Sequence, residues 1–198
     1  TRGGTVQVIV RTQPVTPFGG LVVDGDDGIR GVRVAVYATG RRDPVHETRT
    51  DPSGRFELAV PAADALRPLL VVAQDSGARP TRLALTSGTA VGAALRLHMV
   101  YLEDAERAQV TWRDETAAVD DNDTAVLEDV TDPDFVVRLH LDFNDEGTSW
   151  ADAFETERRY RIAVTRRRPP DVAGDEPTER IVHATFTWRG QSVIELVE

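Results

Sequence analysis

Thr48-Arg49-Thr50-Asp51-Pro52-Ser53-Gly54-Arg55-Phe56-Glu57-Leu58-Ala59-Val60 is the stretch on which the fold reading turns. Pro52 presets one backbone angle of a tight turn, and Gly54 can close it with a positive φ. Phe56, Leu58 and Val60 then alternate with Arg55, Glu57 and Ala59, the period-two pattern of a half-buried strand. The pattern predicts a hairpin, with the Asp51 to Gly54 turn joining two strands.

The same rhythm continues outward in both directions. Upstream, Gly31-Val32-Arg33-Val34-Ala35-Val36-Tyr37 places Val32, Val34 and Val36 on an inward face with Arg33 outward, and Thr5 to Arg11 aligns Val6, Val8 and Val10. Downstream, Leu69 to Ala73 is a short buried run, Leu83 and Leu85 alternate, and Leu95, Leu97, Met99 and Tyr101 alternate with Arg96 and His98. Pro61 to Leu66 has the composition of a single helical turn.

The second half repeats the rhythm after an interruption. Thr116 to Asp134 is rich in Asp, Thr and Ala with little periodicity, and is expected to be a long acidic loop. Phe135, Val137, Leu139, Leu141 and Phe143 then share one face, followed by Tyr160, Ile162 and Val164, and by Val182, Ala184, Phe186 and Trp188. Pro169 and Pro170 should end one of these strands, and Trp150 to Glu157 could make a short helix. With no room for crossover helices, the expected fold is all-β. Two β-sandwich modules follow from length and spacing, residues 1–102 and 103–198, the second on strand rhythm alone.

Composition narrows the function. The 198 residues carry a formal charge of −10 and a sequence pI near 4.9, which repels phosphate backbones, so nucleic acid is not an expected partner. No apolar run has the roughly 18 residues needed to insert in a membrane. All 23 basic residues are Arg, a bias that suggests a GC-rich genome. The absence of Cys removes disulfides, thiolate nucleophiles and Cys-ligated zinc.

Gly28 to Gly40 followed by His46 to Pro61 resembles carboxypeptidase regulatory-like (transthyretin-like) domains. In that family a Gly-x-x-Val-x-Val strand precedes a Thr-Asp-x-x-Gly-x-Phe turn and strand. The matching positions are Gly31, Val32, Val34, Thr50, Asp51, Gly54 and Phe56. The resemblance covers residues 4 to 102 and implies a sandwich that spaces or presents something else in surface, secreted or virion-type assemblies. The second half resembles no family.

Related sandwiches supply enzymatic alternatives. Arg49 to Phe56 is similar to a core segment of intradiol ring-cleaving dioxygenases, which hold iron with two Tyr and two His. Here Tyr37, Tyr101 and Tyr160 stand with scattered His46, His98, His140 and His183, without a close His-x-His pair. Transthyretin-like hydroxyisourate hydrolases require a C-terminal tetrapeptide that the closing residues, IELVE, do not match.

His140 and His183 would make a two-His metal site only if their strands pair, and otherwise are polar-face residues. Asp24 to Gly28 and Asp120 to Asp123 are oxygen-rich enough for Ca²⁺ but lack the 12-residue loop pattern, so turn roles are expected. Ser53, Ser76, Ser87, Ser149 and Ser192 lack an evident His partner and a Gly-x-Ser-x-Gly frame. Arg158, Arg159 and Arg161 with Arg166 to Arg168 read as salt-bridging positions near Glu155, Glu157 and Glu179. Trp112, Trp150 and Trp188 are core residues or ligand contacts.

The reading that results is a non-enzymatic structural or interaction module, with no catalytic, cofactor or metal residues assigned. Its expected partners are other protein subunits of an oligomeric assembly, such as a phage virion or cell surface. The alternative is an extracellular module for carbohydrate or calcium, and a third is a metal-dependent enzyme.

Overall fold

The structure, a computed structural model, describes residues 14–86, 94–103, 107–141, 143–168 and 178–198. The strand expected at Thr5 to Arg11 and the Pro169-Pro170 stop lie outside these. Among the described residues the fold is all-β, with four main sheets forming two sandwiches.

In the first sandwich, β1 (Val15–Asp24) runs antiparallel to β5 (Arg55–Pro61) and β2 (Asp27–Gly28), and parallel to β9 (Ala94–His98). The facing sheet has the order β4-β3-β6-β8, from β3 (Arg33–Ala38), β4 (His46–Arg49), β6 (Leu69–Gln74) and β8 (Thr81–Leu85). Phe18, Val22, Val34, Phe56, Leu58 and Leu97 meet between the sheets. Phe56 sits directly opposite Gly20, where a Cβ would lie 2.6 Å from its ring, so the glycine makes room for the phenyl.

The turn expected to close a hairpin does something else. Its local chemistry is as predicted: Asp51 Oδ1 accepts from the Ser53 N–H, the Ser53 hydroxyl and the Arg55 N–H, and Gly54 has φ +79°. Yet β4 pairs with β3 and β5 pairs with β1, so the turn carries the chain from one sheet to the other. Thr50 holds the corner. Its buried hydroxyl donates to Ile29 O and accepts from the Val32 N–H. Which strand a turn hands its successor to depends on non-local pairing, invisible in the turn itself.

Gly54→Ala is expected to cost about 2 kcal/mol in chemical denaturation, because the added Cβ must accept a positive φ. It would also lie 2.5 Å from Val22 O. Wild-type stability in that variant would show that the corner relaxes freely.

The second sandwich pairs β14 (Thr148–Trp150), β11 (Gln109–Arg113) and β17 (Val193–Glu195) in that order. Opposite lies the sheet β13-β12-β15-β16, from β12 (Thr124–Asp132), β13 (Phe135–Leu139), β15 (Arg159–Arg168) and β16 (Thr178–Thr187). Trp112, Phe154, Tyr160, Ile162, Val182 and Trp188 fill its centre. The ring of Phe154 stacks on Trp188 at 5.0 Å and meets Tyr160 edge-on at 4.8 Å. The Trp150 to Glu157 segment holds one short 3-10 turn, Ala151–Ala153.

A second expectation is overturned. The acidic loop predicted over 116–134 contains β12, a nine-residue interior strand. Its period was hidden because Glu128 and Asp129 are buried carboxylates, not exposed loop residues. Arg161 bonds Glu128, while Arg82 and Arg158 bond Asp129. Buried charge survives in a strand when it is paired in this way.

The sandwiches also share packing. The face of β3 and β6 that points away from the first core contributes Ala35, Tyr37 and Val72 to the second core, with Leu70 packed against it. The sheet β4-β3-β6-β8 is thus covered on both sides over its central strands.

Candidate functional site

The junction between the sandwiches is built from polar caps as well as apolar contacts. Tyr37 Oη accepts from the Arg138 N–H at 3.1 Å and donates to Arg138 O at 3.3 Å, and Gln74 Nε2 donates to the same carbonyl. These side chains occupy backbone groups on the outer edge of β13, which would otherwise template another strand. Burial raises the Tyr37 hydroxyl above its usual pKa, outweighing the nearby Arg33 charge, so it stays a neutral donor.

A second tie lies beside it. Arg82 of β8 donates to Asp129 Oδ2 at 2.8 Å and to Glu155 Oε2 at 2.7 Å, and Arg158 donates to the same Asp129 oxygen at 2.7 Å. Burial pushes the Asp129 carboxyl up, but hydrogen bonds from Thr131 and Arg158 and the Arg82 charge more than reverse it. Asp129 is therefore ionised at neutral pH and bridges both modules.

Gln74 of the first tie also lines a cleft of about 280 Å³. The first sandwich lines it with Arg33, Arg49 and Asp75, the second with Arg107, Trp150 and Asp152. The Arg107 guanidinium lies 4.8 Å from the Trp150 ring centroid, a cation–π contact. Asp152 Oδ2 accepts from Arg107 at 3.3 Å and from the Gly77 N–H at 2.6 Å, crossing the junction. Trp150 keeps 47% of its surface exposed, which leaves ring area for a ligand. At this volume the cleft lies near the small end of small-molecule sites.

The three tryptophans separate cleanly. Trp112 is fully buried and its Nε1 donates to Ser149 Oγ at 2.7 Å, and Trp188 is buried on Phe154. Only Trp150 of the three is open at the cleft. Sequence alone offered one faint signal: Trp188 ends the alternating run Val182, Ala184, Phe186, whereas Trp150 falls outside any such run.

The histidines are dispersed. His140 lines the cleft just after β13, but His183 lies on β16, and the order β13-β12-β15-β16 puts those two strands at opposite edges, roughly 14 Å apart. The two-His pairing does not form. His46 and His98 sit on β4 and β9. Ser76 and Asp152 share the cleft with His140, yet the Asp152 carboxylate is engaged by Arg107 and Gly77 rather than by an imidazole. Of the tyrosines, Tyr160 Oη accepts from the Glu155 N–H, and Tyr101 Oη donates to Asp75. Burial pushes the Tyr160 hydroxyl up to about 12.

The acidic turns are satisfied locally. Asp26, in the β1–β2 turn, accepts from Arg96 at 3.0 Å, and Asp120 Oδ1 accepts from the Asn122 N–H. Among the described residues no group of three or more His, Asp or Glu is placed to hold a metal ion. The Arg-rich segment makes ion pairs: Arg158 with Asp129 and Glu155, Arg161 with Glu128, and Arg166 with Asp114 and Asp123.

Asp114 anchors that last group. Burial raises its carboxyl, but hydrogen bonds from the Thr116 hydroxyl and N–H and the Ala117 N–H, with the Arg166 charge, hold it at about 2. A carboxylate depressed below its unfolded value, near 3.8, stabilises the fold above that pH and ceases to as pH falls through about 2. Asp114→Asn should cost about 2 kcal/mol at pH 7 and flatten the stability profile between pH 4 and 2. Urea midpoints across that window measure it, and an unchanged acid slope would assign it to other carboxylates.

No family model matches the chain, and no curated protein matches it. Among solved structures, the Bacillus anthracis TIE protein aligns with 93% of this chain at TM-score 0.34 and 13% identity. The chain spans 33% of that protein's length. A candidate carbohydrate binding protein from Bacteroides uniformis ATCC 8492 aligns with 88% of this chain and 100% of its own, at TM-score 0.33 and 10% identity.

Proposed function

We propose that the protein is a non-enzymatic recognition module whose two sandwiches, held at a fixed angle, receive a small ligand in the cleft between them. The observation that carries this is the half-exposed Trp150 at a cleft that both modules line, where Arg33, Arg49, Asp75 and Asp152 stand among apolar Leu139 and Leu141. An exposed indole beside fixed polar groups suits a ring with one apolar face and several hydroxyls, as in a carbohydrate. Shared packing at Ala35, Tyr37 and Val72 supports the fixed angle, so little ordering cost accompanies binding.

Calorimetric titration with a glycan panel tests the proposal. Saturable binding that is lost in Trp150→Ala is the expected result, and no heat across the panel would overturn it.

The first sandwich is further proposed to be a carboxypeptidase regulatory-like module. Gly31 and Gly54 have positive φ, Asp51 caps the turn, Thr50 ties the corner, and Val32, Val34 and Phe56 are core, which supports a folding role for every matched position.

A role as one subunit of a larger assembly, on a virion or cell surface, draws on another feature. Ile181 on the edge strand β16 is 59% exposed, and Val197 beside that edge is 58% exposed. Sedimentation of the native protein reads this directly: a concentration-dependent oligomer abolished by Ile181→Asp supports it, and a monomer at all concentrations removes self-association.

A further inference from the structure

We infer that the junction cleft recognises a carboxylated sugar, a uronic acid unit of a short glycan, through Arg49. This inference rests on the reading of the cleft as a ligand site and assigns the ligand's chemistry.

Arg33 and Arg49 are direct cross-strand partners on β3 and β4, and both line the cleft. Like charges in that relation repel, so each normally needs a nearby carboxylate. Arg33 has one: its Nη2 donates to Glu47 Oε2 at 2.6 Å, while its Nη1 donates to Gln74. Arg49 differs. Its Nη1 donates to Gly31 O at 2.7 Å, and among the described residues it makes no ion pair with a carboxylate. Its guanidinium keeps further donors in a planar fork, the geometry that takes a carboxylate with two parallel hydrogen bonds.

The rest of the cleft says what should carry that carboxylate. Trp150 offers the exposed part of its indole, with the Arg107 guanidinium 4.8 Å from the ring centroid, and Ser76 with Asp75, which also accepts from Tyr101 Oη, supplies short polar groups for hydroxyls. A ring bearing both a carboxylate and hydroxyls answers all three features. A peptide carboxylate would satisfy Arg49 but leave the indole without a matching flat face. The net charge of −10 opposes a long polyanion, which limits the ligand to one or two acidic units.

The experiment compares disaccharides by calorimetry. Digalacturonate and a glucuronate disaccharide are titrated beside their neutral counterparts and an acidic dipeptide. The expected result is saturable binding of an acidic disaccharide at least 10-fold tighter than its neutral counterpart. Arg49→Gln should weaken acidic binding at least 10-fold more than neutral binding and so erase that preference, and Trp150→Ala should weaken both sugars. Equal affinity for acidic and neutral sugars overturns the inference and leaves the ligand cleft standing. Preference for the dipeptide assigns Arg49 to a peptide and overturns it as well. No binding of any probe overturns both the inference and the ligand-cleft reading.

Discussion

Trp112→Ala is expected to lower the unfolding free energy by about 4 kcal/mol, the largest effect of any single substitution considered. The indole is fully buried, with Phe143, Phe154 and Phe186 within 5.8–6.3 Å of its centroid. Truncation removes the largest fully buried side chain of the protein and leaves a cavity that rigid strands on both sheets cannot close. It also strips the donor from Ser149 Oγ, itself buried. Trp112→Phe separates the two contributions: it keeps most of the volume and should cost about 1–2 kcal/mol.

The same measurement tests how the sandwiches are coupled. All three tryptophans belong to the second sandwich, so indole fluorescence follows that module, whereas far-UV circular dichroism follows both. Because Tyr37, Ala35 and Val72 of the first sandwich are part of the second core, the two signals should change together. Separate transitions would mean that the modules fold independently.

Asp129→Ala should destabilise by about 3 kcal/mol. Asp129 is 1% exposed, and its two oxygens accept from the Thr131 N–H and hydroxyl, from Arg82 and from Arg158. Without it, two guanidiniums face the single carboxylate of Glu155, and buried positive charge is left over. Arg82 comes from the first sandwich and the other groups from the second, so the loss falls on the junction. A double-mutant cycle with Arg82→Ala isolates the tie. A coupling energy near zero would show that Asp129 acts only within its own sandwich. The stabilisation is present above the unfolded pKa, near 3.8, and fades as pH drops below it, since the folded value is depressed.

Much of the fold was legible in local pattern. Val32, Val34 and Val36 are buried in the first core and Tyr160, Ile162 and Val164 in the second, as alternation predicts. The Asp51 to Gly54 turn formed as its residues dictate. The β12 strand was missed because hydrophobic period is the signal for a strand, and a strand whose buried face includes Asp129 lacks it. The site was less legible still. Arg33, Arg49, Arg107 and Trp150 are far apart in sequence, and nothing local marks them as neighbours.

The sequence by itself determined an all-β chain, the inward faces of most strands and the turn chemistry at Gly54, because these follow from side-chain period and backbone sterics within a few residues. Tertiary structure alone decided that the 51–54 turn is a corner between sheets and that β3 is buried on both faces. One cue was present, since Val34-Ala35-Val36-Tyr37-Ala38 carries no charge on its nominally outer face, as a doubly covered strand requires. What covers that face could not be read there. Strand pairing, the Arg82–Asp129 tie and the cleft beside Trp150 arise from contacts across tens of residues, where competing partners differ in geometry rather than in local propensity.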